Sequence, residues 1–216
     1  MKFASRQDAG RRLGEFLRAH GMEAGLVLGL PRGGAVVAAA VARCLGRPLD
    51  VLVVRKIGHP WQREFAVGAL AEPDVVIFNE ASGLEIPVAR AQLDQVVAEE
   101  TARLQAGCRQ FHPAGAPALD GRTVLLVDDG LATGATVEAA VLSARRRHAQ
   151  RILVAAPVAS TSAVKRLACV ADEVVALVTD PAFAAVGQYY ENFFATGDDE
   201  VVALLRAAAG RGDPLR

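Results

Sequence analysis

The chain has 216 residues, 52% of them hydrophobic and 22% charged, with 24 Lys plus Arg against 24 Asp plus Glu. That length and composition suit one globular core, and they exclude a disordered chain or two large domains. A net charge of zero lacks the broad basic footprint of a nucleic-acid binder, so any anion site must be local.

Met1–His20 is polar and charged, without the apolar core of a secretory signal. No apolar run reaches the ~20 residues of a membrane helix. Cys44, Cys108 and Cys169 are dispersed, which argues against a zinc cluster or a disulfide framework and for a reducing, cytoplasmic setting. Along the chain, β-branched apolar runs alternate with helical patterns. Leu26–Leu30 reads as a strand and Ala35–Leu45 as a helix stopped by Gly46. Strands follow over Leu49–Val54, Ala66–Ala71 and Val75–Asn79, then a long helix over Val88–Cys108 and a loop at Ala114–Pro117. Thr123–Val127 is a strand, Gly134–Arg147 a helix, Ile152–Ala156 a strand, Ser162–Cys169 a helix and Glu173–Val178 a strand. The Thr196–Asp199 spacing predicts a cap for a last helix, Glu200–Ala209, before a frayed tail over Gly210–Arg216. Strand–helix alternation with non-alternating apolar strands predicts an α/β fold, a mostly parallel sheet flanked by helices. Ligands of such sheets sit beyond the carboxyl ends of the strands.

The most informative stretch is Val124–Thr136. An apolar strand delivers Asp128 and Asp129, a small-residue loop follows, and a helix opens near Gly134. Adjacent carboxylates can accept hydrogen bonds from vicinal ribose hydroxyls. Gly130 and Gly134 let the loop turn its N–H groups inward, and a helix N-terminus with Thr133 and Thr136 beside it favours a phosphate. Capping accounts for one Asp and one Thr, but not for two acids crowded at the end of an apolar strand. Leu30–Gly34 offers a second anion loop, with Arg32 able to bond a phosphate bidentately, although an ordinary strand–helix turn reads the same way.

These thirteen residues resemble the phosphoribosyl diphosphate (PRPP) signature of type I phosphoribosyltransferases: four apolar residues, two acids, and a small-residue loop ending in Thr-Gly-x-Thr. Gly130 departs from the usual aliphatic or Ser. The wider chain, with Pro31-Arg32-Gly33-Gly34, Arg55-Lys56-Ile57-Gly58 and Val186-Gly187-Gln188-Tyr189-Tyr190 in order, is similar to an uncharacterised bacterial group of that family. The resemblance implies a single type I domain over 1–216, with a flexible loop at 57–65 and a small hood near 181–195. It implies that Asp128 and Asp129 position the ribose, that Ala132, Thr133, Gly134, Ala135 and Thr136 cradle the 5′-phosphate, and that Gly130 is among the substrate-binding residues. Arg32, Gly33, Gly34 and Lys56 would hold the departing diphosphate, in a first-strand loop that commonly contains a strained peptide in this family. Asp128, Asp129, Arg32 and Lys56 are thus the catalytic candidates. Mg²⁺ is the implied cofactor, held mainly through PRPP and water rather than by protein ligands. Tyr189, in the aromatic segment Phe183–Phe194, is a candidate for stacking an acceptor base, and the same residues suit packing onto the core. His59 and Trp61 fit a surface imidazole and a packing anchor, and Glu72 a solvated turn carboxylate. His112, His20 and His148 read as structural or surface groups.

The implied activity is transfer of the phosphoribosyl group to a nitrogenous, nucleobase-like acceptor. The alternative is a PRPP- or nucleotide-sensing regulator of the same fold. The partners expected are PRPP and a small-molecule acceptor, without nucleic acid or membrane. A homodimer is the commonest assembly for such a chain.

Overall fold

The computed structural model describes residues 2–78 and 87–210. Asn79 and the tail after Gly210 lie outside them, so the ends proposed there are not described. The helix α1 (Arg6–Ala19) precedes every element read from the sequence. Its signals are a Ser5 cap that accepts from Asp8 N, and a stripe of Ala9, Leu13 and Leu17 at i, i+4, i+8 spacing. Then come β1 (Leu26–Gly29), α2 (Gly33–Leu45), β2 (Leu49–Val51), β3 (Val54–His59), β4 (Gln62–Ala71), β5 (Val75–Phe78), α3 (Pro87–Phe111), β6 (Thr123–Val127), α4 (Ala135–Arg146), β7 (Arg151–Ser160), α5 (Thr161–Leu167), β8 (Glu173–Asp180) and α6 (Asp198–Ala209).

Five strands form a parallel sheet in the order β2-β1-β6-β7-β8. Alternate side chains of each strand enter two different cores, as the strand period of two requires. Val27, Leu125, Val127 and Leu153 face α1 and α2, where Leu13, Leu17, Val37 and Val41 meet them. Leu28, Val124, Leu126, Ile152 and Val154 face the other way, onto α4 and onto Ala69, Ala71 and Val75 of the hairpin strands. Truncating a fully buried member such as Leu28 or Leu126 to Ala would cost about 2–5 kcal/mol.

The run expected as one strand over Leu49–Val54 divides. Leu49–Val51 pairs with β1, while Val54 starts an antiparallel three-stranded sheet, β3-β4-β5. Residues 57–65, expected as a loop, are for the most part strand, with Pro60 and Trp61 at the turn and register shifts on either side of Gly58. The last helix is also entered differently from the expectation: Gly197 is its N-cap, with no side-chain cap bond, and Thr196 is buried.

Glu72 is not solvated. It lies 3% exposed at the end of β4, where Arg147 Nη1 stands 3.2 Å from Oε1 and Cys108 Sγ donates to Oε2 at 3.1 Å. His112 Nε2 stands 3.3 Å from the same carboxylate, and its Nδ1 3.4 Å from Asp50 Oδ1. Ser143 Oγ donates to the Glu72 carbonyl. This cluster ties the hairpin sheet to the ends of α3 and α4. Burial raises the Glu72 pKa, but the contacts with His112, Cys108 and Arg147 outweigh it and hold the carboxyl below its ordinary value. Burial likewise works against His112, and the Glu72 and Asp50 carboxylates prevail and raise it. Burial and the Glu72 carboxylate push the Cys108 thiol up to about 12.

Candidate functional site

Two loops leave the sheet at its topological switch point. The chain leaves β1 through α2 toward β2 on one side, and leaves β6 through α4 toward β7 on the other, with α2 and α4 on opposite faces. The loops after β1 and β6 therefore diverge, and the gap between them is where an open parallel sheet places its ligand. A cleft of about 1040 Å³ opens there, with Pro31–Gly33 and Asp128–Gly134 in its walls. Lys56, Arg55 and the α3 residues Glu100, Arg103 and Gln110 line it as well.

All of the site residues read from the sequence line this cleft except Gly34, Ala135 and Tyr189. Gly34 and Ala135 are buried beside its walls. Tyr189 is elsewhere: it is 6% exposed, its ring lies stacked at 5.3 Å on Phe183, and its hydroxyl donates to Asp180 Oδ2. The packing alternative thus describes Tyr189, and Val186 is the residue by which this segment reaches the cleft. Val186 lies against Gly130, where an added Cβ would come within 2.7 Å of Val186 Cγ1. That close approach is a reason for a glycine where an aliphatic residue or Ser was expected.

The β6 loop is held tightly. Leu131 pairs with β7, its N–H donating to Val158 O at 2.9 Å and its carbonyl accepting from Ser160 N at 2.8 Å. Gly134 has φ 77°, a left-handed conformation that suits glycine, and turns the chain into α4. The first N–H groups of α4 have no intrahelical partner, and that of Ala135 donates to Thr133 Oγ1 at 3.4 Å. Thr133 is exposed and Thr136 half-buried beside it. On the facing wall the Pro31–Arg32 peptide is cis. Arg32 is exposed, with Nη1 3.9 Å from Asp198 Oδ1, and Lys56 is exposed at the start of the hairpin.

The two acids differ. Asp128 accepts from Asp129 N at 2.8 Å. Burial, and next the charge of Asp129, push its carboxyl well above the ordinary carboxylate range, against the pull of Lys56 and Arg6. Asp129 Oδ2 accepts from Arg6 Nε at 2.8 Å. Neighbouring acids at the end of an apolar strand are thus accommodated differently, Asp128 by the Asp129 N–H and Asp129 by pairing with a cation. Tyr190 supports the arrangement, its hydroxyl donating to Asp129 O at 2.6 Å. Burial and the Asp129 charge push that hydroxyl's pKa up.

The family model of the phosphoribosyl transferase domain matches residues 6–193. The chain belongs to this family. Among curated relatives, a Mycobacterium tuberculosis protein named "Putative phosphoribosyl transferase Rv0571c" is 45% identical over 207 residues, 95% of this chain and 47% of the relative. The chain therefore spans about half the length of the curated relatives it matches. Among solved structures, TT1426 from Thermus thermophilus is 43% identical, with a TM-score of 0.78 over 95% of this chain and 98% of that one. A purine phosphoribosyltransferase from Pyrococcus horikoshii shares the fold at 17% identity, with a TM-score of 0.50 over 91% of this chain and 97% of that one. In this phosphoribosyl transferase domain, three parts of the site carried no motif in the sequence. The apolar stripe of α1 marks a helix after Arg6 but carries no sign of the Arg6 contact with Asp129. Glu100 and Arg103 sit on the long helix α3 at i, i+3, and Glu100 also receives Arg55 Nε at 2.9 Å. Asp198 carried no signal beyond its place in the first turn of α6.

Mg²⁺ takes oxygen ligands and keeps several of its waters. Among the described residues no group of three or more His, Cys, Asp or Glu side chains could hold a metal ion. An ion carried in by a diphosphate would meet carboxylate oxygens in this cleft, where Asp128 and Asp129 are among the lining residues.

Proposed function

We propose that the protein transfers the 5-phosphoribosyl group of PRPP to a nitrogen acceptor and releases pyrophosphate. The observation that carries this reading is the opposition, across one cleft, of the basic loop after β1 and the loop after β6 with its two acids. The α4 N-terminus with Thr133 and Thr136 suits the 5′-phosphate, Asp128 and Asp129 the ribose hydroxyls, and Arg32, Gly33 and Lys56 the diphosphate. In the reaction the acceptor nitrogen forms a bond to the anomeric carbon as the bond from that carbon to the diphosphate oxygen breaks. The electron pair leaves with pyrophosphate, and any proton on the nitrogen passes to solvent. Mg²⁺, when bound, supplies charge neutralisation at the diphosphate.

The chain's own contribution is placement and electrostatics. Asp128 and Asp129 fix the ribose while Arg32 and Lys56 stabilise the leaving group. We take the chain as one domain, with the segment near 181–195 as its hood. The hairpin tip at 57–65 would close over the diphosphate and exclude water, which competes for the reactive carbon. A cytoplasmic setting is part of this proposal; no helix among the described residues is long and apolar enough to cross a membrane.

The test is titration calorimetry with PRPP and Mg²⁺, followed by pyrophosphate release across a panel of nucleobases. Wild type is expected to bind PRPP, and the double variant Asp128→Asn, Asp129→Asn to fold without binding it. A folded double variant with unchanged affinity refutes the ribose assignment. Tight binding with no release from any base would favour a sensor over a transferase.

A further inference from the structure

Asp129 is fixed from outside its own loop. Its carbonyl accepts from Tyr190, and its carboxylate from Arg6. Arg6 belongs to α1, whose place in the sequence is 123 residues away from the acid it meets. It does not line the large cleft, so it reaches a ligand there through Asp129 and not directly. The guanidinium is itself held on three sides. Nε donates to Asp129 Oδ2, Nη1 donates to Phe194 O at 2.6 Å, and the guanidinium carbon lies 3.8 Å from the centroid of the Phe193 ring. Its side chain is 11% exposed. A guanidinium so packed retains less freedom to lose than a solvent-facing one, which makes the pair worth more than a surface ion pair.

Arg6 engages one oxygen of Asp129 and leaves Oδ1 without a hydrogen bond to the described residues. A carboxylate held by one oxygen keeps its rotamer and still has an acceptor to offer. Without Arg6, the same side chain would be a half-buried acid beside another acid. We propose that Arg6 is a positioning residue: it sets the Asp129 carboxylate in the orientation that receives a ribose hydroxyl, and it makes that orientation depend on the segment Phe193–Phe194. This inference rests on the ribose-binding role given to Asp129 above.

The test separates ligands with the pentose from one without it. PRPP, ribose 5-phosphate and pyrophosphate, each with Mg²⁺, are titrated into wild type, Arg6→Gln, Arg6→Lys and Phe193→Leu. Arg6→Gln is expected to weaken PRPP and ribose 5-phosphate by about 10- to 100-fold, the worth of a hydrogen bond between charged groups, and to leave pyrophosphate within about 2-fold. Arg6→Lys should recover part of the loss, and Phe193→Leu should show a smaller loss with the same selectivity. The pair Arg6→Lys and Phe193→Leu carries the test if Arg6→Gln does not fold. Equal weakening of all three ligands would reduce Arg6 to a structural role, and unchanged PRPP affinity in folded Arg6→Gln would remove its role altogether. If wild type itself binds neither PRPP nor ribose 5-phosphate, the functional reading falls and this inference with it.

Discussion

Gly33 is the point where the two loops of the cleft touch, and it gives the sharpest prediction. A Cβ at this position would lie 2.0 Å from Asp129 Oδ2 and 2.8 Å from Arg6 Nε, where contacts under 3.0 Å force a shift. Gly33→Ala therefore pushes the carboxylate back by roughly 1 Å. Nε stands 2.8 Å from both the added Cβ and Oδ2, so this displacement is mostly sideways and stretches the Arg6–Asp129 bond to about 3.3 Å, weakening it. The obstacles are the ends of side chains, so the backbone stays and the fold survives. Full loss of a charge-assisted bond is worth about 1.5–3 kcal/mol, so weakening it by about half should raise the Kd for PRPP roughly 3- to 12-fold. Gly34→Ala supplies the contrast. Its Cβ would meet Val127 O at 2.8 Å and Asp128 Cα at 2.9 Å, which are backbone atoms that cannot step aside. That variant should lose about 1–3 kcal/mol of stability, seen as a Tm lower by about 2–12 °C. Calorimetry with PRPP and thermal denaturation of both variants decide the matter. A folded Gly33→Ala protein with wild-type affinity for PRPP, or one that melts as early as Gly34→Ala, would refute the reasoning.

Glu72→Ala strands Arg147 and His112 without their shared carboxylate, and urea denaturation should show a loss of about 3–5 kcal/mol. His112 is raised above its ordinary 6.5, so its contribution is complete below that pH and fades as pH climbs through the folded-state value. Glu72 is lowered below 4.5, so its contribution is complete above that pH and fades only in stronger acid. Wild-type stability from this cluster should thus be greatest between pH 4.5 and 6.5 and decline above it, while His112→Gln should flatten the alkaline side of the denaturation profile. Trp61 is the single tryptophan of the chain and is 62% exposed at the hairpin tip, so closure over a diphosphate should shift its emission to the blue on adding PRPP and Mg²⁺. Unchanged emission at saturation would count against closure of the hairpin.

The sheet strands and most of the cleft were legible because they depend on local chemistry. Val124–Val127 is apolar throughout and buried on both faces, and its loop carries the acids and glycines from which a phosphosugar site is read. Three features depended on tertiary context. The run Leu49–Val54 reads as one strand because burial continues across the switch from one sheet to the other at Leu52 and Val53. Residues 57–65 read as a loop because their polar and glycine content hides the pairing with β4. Tyr189 and Glu72 illustrate a third limit: a hydroxyl aromatic and a turn acid look alike whether they meet ligand, solvent or a buried partner, and here Asp180 and the His112–Arg147 pair supply the partner. Arg6 was hidden for the same reason, since nothing adjacent to it in the chain announces a contact so distant.

Phe3 forms a parallel bridge with Tyr190, and the first helix meets the segment near Phe194 at the acid of the central strand. A nascent chain therefore leaves the ribosome with the sheet largely written, while Asp129 still lacks Tyr190 and Arg6 still lacks its aromatic seat until the codons near position 194 have been read. Rewiring the gene as a circular permutant, with new ends in the Ala114–Pro117 connection, would bring those segments off the ribosome one after the other. Such a permutant would complete the contacts of Asp129 well before synthesis ends, an order that ribosome-stalled chains of increasing length would report.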